Sequence, residues 1–223
     1  MILDRRYIAE ALGTFTLVFC GTASMAINEI TNGSVTHVGI GITWGFIVIA
    51  LIYAFGEISG AHFNPAVSIA FAFAKKFAWK EVPKYIISQA IGAIFASLFV
   101  WYLFPESEFL GGTHTILPPE KAFVLEYLLT FFLMMVIINV STGSKETGMM
   151  AGIAIGGVVM LEALFAGPMT NASMNPIRSL APAIVSLKFD NLWLYMIAPI
   201  LGAITAVYTC RIVKKEGCCN ENC

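Results

Sequence analysis

Two segments of this chain are copies of one another. Ser59-Gly60-Ala61-His62-Phe63-Asn64-Pro65-Ala66-Val67-Ser68 aligns with Thr170-Asn171-Ala172-Ser173-Met174-Asn175-Pro176-Ile177-Arg178-Ser179 at an offset of 111. Ala61 then matches Ala172, Asn64 matches Asn175, Pro65 matches Pro176 and Ser68 matches Ser179. The same offset matches Gly41-Ile42 with Gly152-Ile153 and Gly45 with Gly156. Upstream the register becomes 116, and Glu10, Thr14 and Phe15 answer Glu126, Thr130 and Phe131, as expected where a connecting loop differs in length between two copies.

What is duplicated is a set of membrane spans. Hydrophobic residues make up 58% of the 223 and charged residues 12%, about half the roughly 25% charged share of a soluble domain. A formal charge of −1 leaves no basic footprint for nucleic acid. A bilayer crossing takes about 20 mainly apolar residues. Six such stretches lie near Tyr7 to Ile27, Val38 to Phe55, Val82 to Leu103, Ala122 to Val140, Met149 to Phe165 and Leu192 to Ile212. A secretory signal is the alternative for the first, with Arg5 and Arg6 ahead of it, but Glu10 is out of place in a signal's apolar core and has its copy in Glu126.

Three spans per copy is an odd number, so the second copy enters the membrane from the opposite face. Threading the spans in order puts Arg5, Arg6, Lys75, Lys76, Lys80, Lys84, Lys145, Arg211, Lys214 and Lys215 on one side, and Lys121 and Lys188 on the other. An excess of lysine and arginine marks the cytoplasmic side, so both termini are expected there, in a multi-pass protein of the cell membrane. The chain reads as one transmembrane domain, 1–223, with repeats over about 1–110 and 118–213 and a cytoplasmic tail, 214–223.

Each Asn-Pro opens a short apolar run, Ala66 to Ala74 and Ile177 to Val185, about half the length of a span. Asparagine is a favoured N-cap, and proline at the first helical position loses nothing because its missing N–H would be unpaired there. Both runs are therefore predicted to be re-entrant half-helices. The backbone ahead of them is not helical, and at membrane depth that is tolerated only inside protein or beside a water-filled cavity. Gly60, Ala61 and His62 in one loop, and Asn171 and Ser173 in the other, are then candidates to line a pore.

These residues resemble the major intrinsic protein family, the aquaporins and glycerol facilitators. The resemblance rests on Ala9-Glu10 with Gly13-Thr14, on Ser59 to Val67, and on Asn175-Pro176-Ile177-Arg178-Ser179, and it extends from about Tyr7 to Ile212. It implies an all-α membrane protein: six tilted transmembrane helices and two half-helices meeting end to end, assembled as a homotetramer with one pore per subunit. One departure is visible, Ile177 where the family usually has alanine.

The resemblance assigns roles. Asn64 and Asn175 would cap their own half-helices and keep both amide hydrogens for the pore, while Pro65, Ala66, Pro176 and Ile177 complete the two midplane motifs. Arg178 would form a selectivity filter with Trp44, Ala163 and Ala172, which stand 20 before Asn64, 12 before Asn175 and 3 before Asn175. A structural salt bridge is the alternative for Arg178, since an unpartnered guanidinium is costly in hydrocarbon. Glu10 and Glu126 would accept hydrogen bonds from the loops. His62 would line the cytoplasmic half of the pore. Glu162, an acid that the family does not usually carry, either pairs with Arg178 or points outward to a neighbouring subunit.

With two alanines the ring is open, and Phe165-Ala166-Gly167-Pro168 followed by Asn171 to Pro176 is similar to the nodulin-like branch, which passes glycerol and neutral metalloid acids. The expected partners are water, small neutral solutes and the bilayer. No cofactor, metal site or enzyme constellation is expected. A water-only channel, an ion-coupled carrier and a closed, junction-like protein of the same fold are the alternatives. Cys218, Cys219 and Cys223 read as part of an unstructured tail without an assigned function.

Overall fold

Asparagine and proline set the starts of the two short helices. Asn64 is extended (φ −155°, ψ 122°) and its side-chain oxygen accepts from Ala66 N at 2.9 Å. Asn175 does the same (φ −145°, ψ 109°), accepting from Ile177 N at 3.1 Å and Arg178 N at 3.4 Å. Each satisfies amide groups that a helix start otherwise leaves unpaired.

The computed structural model describes residues 4–141 and 148–213. The tail with Cys218, Cys219 and Cys223 lies outside the described residues. The order is α1 (Arg5–Ile30), α2 (Thr36–Ser59), half-helix α3 (Pro65–Phe73), a 3-10 turn (Trp79–Glu81), α4 (Val82–Leu103), α5 (Pro119–Ser141), α6 (Ala151–Thr170), half-helix α7 (Pro176–Ser186) and α8 (Leu192–Val213). The six longer helices have the length and hydropathy of membrane spans.

The packing repeats with the sequence. α1 crosses α4 and α5 crosses α8, while α2 and α6, corresponding helices of the two copies, cross each other. Glycine permits each crossing. A Cβ on Gly92 would collide with the Ala11 carbonyl, one on Gly202 with the Tyr127 carbonyl, and Gly45 and Gly156 each lie against the other's carbonyl oxygen. The half-helix α3 packs on α4 and α8, and α7 likewise on α8 and α4, so each is held by both copies.

Helix α6 runs past Pro168 to Thr170, five residues beyond the expected Phe165. A proline inside a helix frees the carbonyl four residues earlier, here that of Leu164. Nε2–H of His37, at the start of α2, donates to that oxygen at 2.6 Å, so the freed carbonyl keeps a partner.

Candidate functional site

Between the end of α2 and Asn64 the chain takes left-handed φ at Gly60 (83°), Ala61 (50°) and Phe63 (48°), and the second copy repeats this at Asn171 (60°), Ala172 (41°) and Met174 (54°). For residues other than glycine this conformation costs on the order of 1 kcal/mol or more each. Buried carboxylates hold it. Glu10 accepts from Ser59 Oγ (2.7 Å), His62 N (2.9 Å), Phe63 N (2.8 Å) and Gln89 Nε2 (2.8 Å). Glu126 accepts from Thr170 Oγ1 (2.7 Å), Ser173 N (2.9 Å) and Met174 N (3.0 Å). Two tyrosines, Tyr85 and Tyr195, donate to the Ser59 and Thr170 carbonyls at 2.8 and 3.0 Å.

The two half-helices meet through their caps. Asn64 Nδ2 donates to the Met174 carbonyl at 2.8 Å, and Asn175 Nδ2 to the Phe63 carbonyl at 2.9 Å. This corrects the expectation that both amide hydrogens face the pore: one of each is committed to the opposite loop, and one remains on a residue that lines the cavity. Pro65, Ala66, Pro176 and Ile177 stay off that cavity. Ile177 packs in a cluster with Val18, Ala93, Ala96 and Ala181, so its extra bulk fills the junction with α1 and α4.

A cavity of about 830 Å³ runs along the bundle past both asparagines to Arg178. It brings Trp44, Ala163, Ala172 and Arg178 together with Gly60, Ala61, His62 and Ser173. His62 hydrogen-bonds Ser68 Oγ through Nδ1 at 3.0 Å and stacks on Phe71. Asn171 is placed elsewhere: its side chain accepts from His114 N at 2.9 Å and it lines a separate outer vestibule of about 360 Å³.

Arg178 is 2% exposed to solvent and has no carboxylate partner among the described residues. Its Nη1 donates to the Gly111 carbonyl at 3.1 Å, its Nη2 lies 3.1 Å from the Met25 sulfur, and its carbon lies 4.8 Å from the Trp44 ring centroid. A guanidinium over an indole is held by cation–π attraction. Gly21 makes room for that indole, since a Cβ there would overlap the ring. Glu162 neither pairs with Arg178 nor points outward: it is 1% exposed, and among the described residues neither carboxyl oxygen has a hydrogen-bond partner.

Sequence reasoning missed Met25, Gly111, Gln89, Tyr85 and Tyr195. A third register, 110, matches Tyr85 with Tyr195 and Gly92 with Gly202 and was the signal for the tyrosines. Gln89, Met25 and Gly111 have no such counterpart.

Two inverted copies, six span-length helices, and two capped half-helices meeting beside a cavity that holds Arg178 and both asparagines define a membrane channel of the aquaporin type. The chain belongs to the major intrinsic protein family, whose model, "Major intrinsic protein", matches residues 2–209. Nodulin-26 of Glycine max is 43% identical over 216 residues, covering 94% of this chain and 78% of that protein. Aquaporin NIP1-2 of Arabidopsis thaliana is 43% identical over 218 residues, covering 94% and 74%. The X-ray structure of the aquaglyceroporin from Plasmodium falciparum superposes with a TM-score of 0.84 at 27% identity, over 92% of this chain and 93% of that one. Members of this family are channels and not enzymes, and this chain is a multi-pass membrane channel for water and small solutes.

Proposed function

We propose that this is a passive channel for water and small uncharged solutes up to the size of glycerol, closed to protons and ions. Residues 1–223 act as one channel domain, both termini lie in the cytoplasm of a cell-membrane protein, and the native assembly is a homotetramer with one pore per subunit. The orientation rests on the lysine and arginine distribution. The tetramer rests on family membership alone.

The observation that carries the solute range is the composition of the ring at Arg178. Ala163 and Ala172 line the same cavity and contribute little bulk, Trp44 offers an apolar face to Arg178, and Arg178 offers charged donors. A polyol can lay its carbons on the indole while its hydroxyls accept from the guanidinium. The name aquaglyceroporin carried by the Plasmodium falciparum structure supports the same reading. Exclusion of cations follows from Arg178 together with the two half-helix N-termini, each equivalent to roughly +0.5 elementary charge.

One observation favours a narrower, water-selective filter: the Met25 sulfur lies against Arg178 and engages one of its donors. Light-scattering of proteoliposomes under water and glycerol gradients separates the two. Native protein should pass both, and Ala163→His should cut glycerol flux about tenfold by placing a ring where a methyl stood, with water flux falling no more than about twofold. Native protein that passes water and excludes glycerol establishes the narrow filter.

A further inference from the structure

Met25 links the vestibule to the arginine of the cavity: it lines the one and touches Arg178, which lines the other. It is half-buried, lines the vestibule with Gly111 and His114, and its sulfur sits 3.1 Å from Arg178 Nη2. The guanidinium therefore rests on three neighbours: the Gly111 carbonyl, the Trp44 ring and this thioether. Of the three, only the thioether is readily oxidised under mild conditions. Sulfur carries two lone pairs and the hydrogen bond uses one, so the other can still react.

Among the described residues, Met25 is the methionine whose sulfur meets Arg178. Met174 lines the cavity with its backbone carbonyl turned to Asn64, Met149 is exposed and also lines the cavity, and Met150 and Met169 are exposed. A small neutral peroxide has the size and hydrogen-bonding character of the solutes such a ring admits. It can reach Met25 from the vestibule.

We propose that Met25 is an oxidative modification site, and that its conversion to the sulfoxide by peroxide reduces solute flux through the filter. The inference rests on the reading of the Arg178 ring as the filter. The sulfur lone pair attacks one peroxide oxygen, the O–O bond breaks as the S–O bond forms, and the second oxygen leaves as hydroxide and takes up the remaining proton as water. Sulfur loses two electrons and the peroxide gains them. The product differs from the thioether in two ways that matter here. A thioether is a weak acceptor, whereas the sulfoxide oxygen is a strong one, which ties down the Nη2 donors that a passing hydroxyl would use. The added oxygen also occupies the ring.

The test uses the full-length protein in liposomes, treated with graded hydrogen peroxide and then catalase. Glycerol and water flux are read on the same samples in which peptide mass spectrometry gives the oxidised fraction of Met25. Glycerol flux should fall at least about threefold and water flux about twofold at full oxidation, in proportion to the oxidised fraction. Met25→Leu, compared with its own untreated sample, should not respond to peroxide. Met25→Gln, which places an amide oxygen near the sulfoxide position, should show the low flux without peroxide. Equal loss in Met25→Leu, an unoxidised Met25, or an oxidised Met25 with unchanged flux each overturns the proposal. If untreated native protein passes no glycerol, the open-ring reading fails, and the water flux of the same samples still decides the oxidation.

Discussion

Glu10 and Glu126 are buried carboxylates whose oxygens are filled by hydrogen bonds, three of them from the side chains of Ser59, Gln89 and Thr170 and the rest from loop amides. Removing either acid would strand buried N–H groups, each costing about 1–3 kcal/mol, in loops that already hold left-handed backbone at Ala61, Phe63, Ala172 and Met174. Glu10→Ala and Glu126→Ala should therefore lower the thermal midpoint of the detergent-solubilised protein and its folded yield, while water flux per folded molecule survives in part. A variant of normal stability that passes no solute would give these acids a direct part in transport. Glu162 presents the opposite case. It is as buried as the other two, yet both of its oxygens lack partners among the described residues, and an unsatisfied buried polar group destabilises by about 1–3 kcal/mol. Glu162→Leu should raise the thermal midpoint, read by fluorescence-detected melting. A lower midpoint would mean that the carboxyl is hydrogen-bonded in the native protein.

At the scale of elements, proline acts in two ways. Pro65 and Pro176 start helices after a capping asparagine, and that pattern is readable from adjacent residues alone. Pro168 sits inside α6, as Pro182 does in α7 and Pro199 in α8, and there His37, far away in sequence, takes the freed Leu164 carbonyl. His37→Ala should strand that carbonyl, lower the thermal midpoint by an amount equivalent to about 1 kcal/mol, and speed amide exchange in the last turn of α6, measured by hydrogen–deuterium exchange. Unchanged exchange there would show that the last turn does not depend on His37. The contrast explains what was legible. Six spans, two half-helices and the inverted order follow from local patterns and from a repeat that survives in the sequence. The end of α6 was not legible, because it is decided by a contact between helices. For the same reason Met25 and Gly111 escaped notice: they touch Arg178 from α1 and from the loop between α4 and α5, with no counterpart in the other copy. Glu162 was misplaced because its neighbours on the sequence say nothing about which side of α6 is enclosed.

At the scale of the whole molecule, the two copies meet where Gly45 lies against Gly156, where each asparagine donates to the other copy's loop, and where each half-helix packs on a long helix of the other copy. The inverted symmetry aims both half-helix N-termini at the same stretch of cavity, and the proposed exclusion of cations draws there on the positive ends of two dipoles. Arg178 breaks the symmetry, because its counterpart in the first copy is Val67. Replacing Arg178 by valine would therefore make the two copies alike at this position and leave only the paired dipoles. Arg178→Val should raise the proton leak of proteoliposomes about tenfold, equivalent to removing about 1.4 kcal/mol of barrier, with water flux within about twofold of native. The leak is read from collapse of an imposed pH gradient with an enclosed dye. Arg178→Lys, which keeps the charge but loses the two-pronged contact with Gly111 and Met25, should hold the leak near native and pass glycerol less well, since a lysine presents a point charge in place of a fork of donors. This pair of variants separates charge from packing. A valine variant with no added leak would assign proton exclusion to the half-helix ends alone, and a lysine variant that leaks as the valine one does would show that the position of the charge, held by Trp44, Gly111 and Met25, matters more than its presence.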